Sequence, residues 1–102
     1  MTPQRTRKTS NPVMTKNEFE AALAAGGYTE IETKKLTPRP VNGEHGHHFS
    51  VQGLVLDGVF TVTQNNQPVA YGRGQIFSVS AGDPHCEEVG PEGAEICVGR
   101  KY

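Results

Sequence analysis

A chain of 102 residues holds one small domain and no more, and its formal net charge of −1 argues against a nucleic-acid binder, which would present a basic face. No apolar run approaches the roughly 18 residues a membrane helix needs, and Arg5, Arg7 and Lys8 near the start are not followed by the apolar segment of a signal peptide. Four Phe, three Tyr and no Trp make a thin core, so association into a homodimer is the expected way to bury more surface.

In chain order, residues 1–13 are polar and basic without periodicity and read as a disordered tail. Met14 opens a segment that would serve as a start by itself, and residues 14–102 form the domain. Thr15-Lys-Asn-Glu18 is a capping box, with Thr15 as N-cap and Glu18 reaching back. Phe19, Ala22 and Leu23 then fall at helical spacing, and Gly26-Gly27 ends the run. This predicts one short amphipathic helix over about residues 16–25. After Gly27 the period becomes two, and Tyr28–Leu36 reads as an edge strand that Pro38 and Pro40 break.

Further short strands are predicted at Phe49–Leu56, Val59–Thr63, Val69–Tyr71, Gln75–Val79, His85–Val89 and Ala94–Val98. Asp57-Gly58, Asn65-Asn66 and Gly72–Gly74 mark turns between them, and Gly90-Pro-Glu-Gly93 is read as the loop of a last hairpin. Many short strands with regular turns mean an all-β sandwich or small barrel.

The chemistry lies in Glu44-His-Gly-His-His48 and in Ser80-Ala-Gly-Asp-Pro-His85. His45 and His47 are two apart, so on an extended strand both point to one face, where two imidazoles can share a metal ion. His85 opens a strand after a turn and makes a third donor. His48 and Glu44 alternate to the opposite face and read as surface residues.

The segments EHGHHFSVQGLVLDGVFTV and GRGQIFSVSAGDPH resemble the two halves of the cupin signature. His45, His47 and Gly58 match the first half; Gly74, Gly82 and His85 match the second, with Ser80 where proline is usual. The matched region spans about residues 40–90. The resemblance implies a single cupin domain, a small RmlC-like jelly-roll barrel (double-stranded β-helix) with the short helix at its N-terminal end. It also implies one divalent transition metal, Fe, Zn, Ni, Mn or Cu, held by His45, His47 and His85. At the family's carboxylate position stands Val51 or Gln52, depending on the spacing counted. Two readings follow: a three-His site, or three His with Gln52 as an oxygen donor. The second is taken as the expectation, with Gln52, Leu54 and Leu56 facing inward, Val51 outward, and Gly53 offering a place for a bulge. A three-His site resembles thiol and diketone-cleaving dioxygenases; a His/Gln site resembles small cupins acting on sugars or uronates.

The hairpin reading pairs His85 with Val98, Glu87 with Ile96 and Cys86 with Cys97. Glu87 then shares the inward face with His85 and takes the part of a general base or a partner to the metal ligands. The two cysteines face each other outside as reduced thiols, as befits a cytoplasmic protein. A pocket lined by Phe49, Val55, Phe60, Phe77 and Ile96 is expected. The function expected is a metal-dependent enzyme on a small molecule, dioxygenase or isomerase, with a non-catalytic binding or sensing module as the alternative. No nucleic-acid or membrane partner is expected.

Overall fold

The computed structural model describes residues 14–102; the tail expected at residues 1–13 lies outside them. Helix α1 runs Lys16–Ala25 and five strands follow: β1 Thr29–Leu36, β2 Ser50–Gln64, β3 Gln67–Tyr71, β4 Ile76–Val79 and β5 Cys86–Lys101. The capping box forms as read, with the Glu18 amide donating to Thr15 Oγ1 at 3.1 Å and the Thr15 amide to Glu18 Oε1 at 2.9 Å. Such a cap contributes about 1 kcal/mol. No helix among the described residues is long and apolar enough to cross a membrane.

All strands pair antiparallel, in the order β1-β5-β2-β3, with β4 on β2 as well. The inner face gathers Val55, Phe60, Val62, Phe77, Val79, Val89, Ala94, Ile96 and Val98 into one core. On the outer face of the sheet, α1 lays Phe19 and Leu23 over Leu54 and Cys97, with Tyr28, Ile31 and Leu56 around them. The helix is thus a patch on the barrel's outside and leaves the interior to the strands.

The expected hairpin at residues 90–93 does not form. β5 runs straight through, pairing with β2 on both sides of the break: Gly58 lies opposite Ala94 and Phe60 opposite Val89. Gly90-Pro-Glu-Gly93 therefore stands as a bulge opposite Val59 alone. For the same reason Asp57-Gly58 is no turn but a register shift within one long strand. Two glycines at positive φ, Gly58 (+77°) and Gly93 (+76°), meet there, and a Cβ on Gly58 would overlap the Gly93 carbonyl oxygen. Gly and Pro signal a departure from regular strand, and a bulge uses them as readily as a reversal does. Cys86 consequently pairs with Thr63, and Cys97 with Leu54 and Thr33, so the thiols are not opposed. Both are free.

Candidate metal centre

The His run precedes β2 rather than lying on it. Its extended backbone is held to the turn before β5: the amides and carbonyls of His45 and His85 exchange bonds of 2.9 and 2.8 Å, and the Gly82 amide donates to the His47 carbonyl at 2.7 Å. Gly82 takes φ +83° in that turn, and Asp83 closes it by donating to the Ser80 carbonyl at 3.1 Å. These bonds bring the two sequence motifs together.

Within that frame His45, His47 and His85 converge. Each offers a ring nitrogen, and these nitrogens lie within 4.8 Å of one another. Ring centroids are 4.3 Å apart for His45 and His85, 5.2 Å for His45 and His47, and 5.1 Å for His47 and His85. His45 Nδ1 faces the Gly43 carbonyl at 2.9 Å, which fixes its proton there and leaves the Nε2 lone pair for a ligand. The three rings can together hold one metal ion.

Two observations fit a cation. His47 Nδ1 is, among the described residues, the buried side-chain polar atom with no hydrogen-bond partner. His85, only 1% exposed, faces acceptors at both nitrogens: the Asp83 carbonyl lies 3.2 Å from Nδ1, and Glu87 Oε2 lies 3.2 Å from Nε2. A neutral imidazole has one N–H for those two acceptors. A cation near Nε2 relieves the second contact. Burial, then the neighbouring His85 and His45, push the His47 imidazole below its ordinary 6.5, with Glu87 working in the opposite direction. His47 is thereby kept in the neutral form that ligates metal.

The alternation continues past the run. His45, His47, Phe49 and Val51 all line one cavity of about 230 Å³, together with Leu36, Phe60, Phe77, Ile96 and Val98. Gln52 is on the other face, where its Nε2 donates to Ser78 Oγ at 3.4 Å. The expectation of an inward Gln52 is therefore corrected, and with it that of inward Leu54 and Leu56, which lie under α1. The cause is strict period two from His45 onward: pairing with β4 and β5 stays in register from Val51 through Leu54, so no bulge resets the faces at Gly53. Gly53 serves packing instead, since a Cβ there would overlap the Phe77 ring. As expected, His48 and Glu44 are exposed.

Glu87 lines the cavity, and the reason survives the loss of the hairpin: His85, Glu87 and Val89 alternate onto one face wherever β5 is paired. Its amide donates to Asn42 Oδ1 at 2.8 Å, and Arg39 stands 3.5 Å from Oε1. Three basic lining residues, Lys34, Arg39 and Arg100, carry no motif in the sequence. The signal available for Lys34 was its two-residue spacing from Leu36. Cys97 is no nucleophile: burial, with Glu20 adding to it, pushes its thiol pKa up.

No protein-family model matches the sequence, and no curated protein does. Solved structures do match. A Rhizobium leguminosarum protein of unknown function aligns with TM-score 0.66 at 21% identity, over 74% of this chain and 71% of its own. A cupin-2 domain protein from Shewanella frigidimarina gives 0.62 at 16% identity, over 74% and 72%. A predicted oxalate decarboxylase from Thermotoga maritima gives 0.61 at 19%, over 79% and 72%. The chain has the cupin fold.

Proposed function

We propose that this protein is a metal-dependent enzyme acting on a small molecule, with one divalent transition metal held by His45, His47 and His85. The observation that carries the reading is the convergence of three imidazoles, two of which, His45 and His47, line a cavity that Phe49, Phe60, Phe77 and Ile96 also line. With Gln52 turned away, the donor set is three imidazoles, which favours an oxygen-activating ferrous centre over the isomerase type. Iron bound there would supply open coordination positions and redox chemistry.

The chain's own residues do the rest. Asp83 and Gly43 carbonyls orient two of the rings. In this reading Glu87 takes a proton from a bound small molecule, and Arg39, 3.5 Å from its Oε1, pairs with the carboxylate and orients it until then. The aromatic wall excludes water around the reacting group. The free, separated cysteines accord with a cytoplasmic protein, and we propose a homodimer as its working state.

The test is elemental analysis of untagged protein purified without added metal, followed by oxygen uptake by the ferrous form with small thiols and diketones. The expected result is about one metal per chain and substrate-dependent oxygen consumption. Metal-dependent conversion of a sugar or uronate without oxygen uptake would make it an isomerase; ligand binding without turnover, a binding module. Absence of metal at these residues would overturn the proposal.

A further inference from the structure

The chain as a whole carries a formal charge of −1, yet its cavity wall holds Lys34, Arg39 and Arg100 against a single carboxylate, Glu87. The lining thus holds more cations than carboxylates before any metal enters it. An excess of one sign of charge in a cleft favours a ligand of the opposite sign.

The three cations differ in their commitments. Arg39 neutralises Glu87 inside the cavity at 3.5 Å, and Lys34 lies 3.7 Å from Glu32 on its own strand. Arg100 sits with its guanidinium carbon 4.5 Å from the Phe49 ring centroid, and that ring stacks on His47 at 4.7 Å. One aromatic ring therefore separates the guanidinium from the imidazole cluster. Outside the cavity wall, Glu30 Oε1 accepts from Arg100 Nη1 at 3.2 Å, and Tyr102 donates to the same carboxylate. Glu30 reaches that position from a left-handed backbone, φ 52°, at the register shift between Thr29 and Glu32 of β1. This conformation is uncommon for a residue with a side chain. A guanidinium has five donors in a planar fork that matches a carboxylate, and Glu30 is bonded at one nitrogen.

We infer that the small molecule this cavity receives is an organic acid with an apolar body, whose carboxylate is bound by Arg100 beside Phe49. This inference rests on the reading of the cavity as the enzyme's site, and it specifies the substrate's chemical class. The body packs on Val51, Phe60 and Phe77. At about 230 Å³ the cavity falls below the usual range of about 300–1,000 Å³ for drug-sized ligands, so the acid is small.

The test compares isobutyrate with isobutyramide, which share a shape and differ in charge, by ligand-observed NMR titration of the metal-loaded and the metal-stripped protein. Isobutyrate should bind at least tenfold more tightly than the amide. Arg100→Met should lose at least tenfold in isobutyrate affinity while its metal content stays at the wild-type level. Equal binding of acid and amide, no isobutyrate binding at millimolar concentration, or unchanged affinity in Arg100→Met would each overturn the inference. The acid–amide comparison needs no variant, so a failure of Arg100→Met to fold leaves the decision intact. Acid-selective binding that depends on Arg100 in a protein that takes up no metal would uphold this inference and sink the proposed function; normal metal content with indifference to charge would do the reverse.

Discussion

Replacing His47 with alanine should separate metal affinity from the stability of the fold. In four-ligand structural zinc sites binding is worth about 10–16 kcal/mol, or on the order of 3 kcal/mol per ligand. Losing one of three imidazoles here should thus weaken binding by on the order of 100-fold. The metal-free fold should scarcely notice. The stacked contact with Phe49, centroids 4.7 Å apart, is lost at a cost of about 1 kcal/mol. Against that, the variant removes the unpartnered Nδ1, whose burial costs about 1–3 kcal/mol. The two effects offset to within about 2 kcal/mol. Urea melts with chelator and with a fixed free Zn(II) concentration measure both quantities. At 100 times the wild-type Kd, metal should stabilise the wild type by about 2.7 kcal/mol and the variant by about 0.4 kcal/mol. Equal metal-induced stabilisation in both proteins would refute the site, and a loss of several kcal/mol without metal would refute the account of His47 as a poorly satisfied group.

Gln52→Leu should leave Zn(II) affinity within about twofold of wild type, since that side chain faces Ser78; a tenfold loss in a competition titration would return it to the metal. Gly53→Ala should destabilise by about 1–3 kcal/mol in chemical denaturation, because the added methyl meets the Phe77 ring; a neutral result would mean that the ring moves freely. Metal-free protein should lose stability as pH falls below about 6.5. The unfolded chain takes up the proton that folded His47 resists, so its contribution is intact above that pH and declines toward the lowered folded pKa. The slope should flatten in His47→Gln, and an identical slope would assign the acid sensitivity elsewhere. Light scattering at high micromolar concentration should give a dimer, which covers Val59, Val69 and Ile76, all exposed on one copy; a monomer would remove that proposal.

Period two was the most informative signal in the chain, and it reached further than the metal ligands. Counted from His45 it selects His47, Phe49 and Val51 for the cavity and rejects Gln52. The error at Gln52 came from counting four residues from His47 to the position of the family's carboxylate, where three residues, as the alternation requires, lead to Val51; Gly53 answers to a neighbour's bulk and the backbone there stays regular. Gly90–Gly93 misled in the opposite sense. Hairpin loops and bulges draw on the same residues, and only the long-range pairing of β2 with β5 distinguishes them. Glu87 was legible regardless, because its two-residue spacing from His85 does not depend on which strand lies opposite. The basic residues of the cavity were illegible for a different reason. Pairing of β1 with β5 brings Lys34 and Arg100 to one cavity and the bridge between Arg39 and Val89 adds the third, facts of topology with no local trace.

That topology also orders events in time. β5, the last described strand to leave the ribosome, is seated between β1 and β2, which are made long before it. Until it arrives, β1 has no strand to pair with and β2 lacks one of its partners. His45 and His47 meanwhile wait as a two-donor fragment, loosely placed, for the imidazole at position 85. Assembly must therefore follow synthesis of most of the domain, through contacts far apart in sequence that form slowly. Metal capture should be a late event in the life of the nascent chain, and a metal ion supplied early would meet a site that does not yet exist.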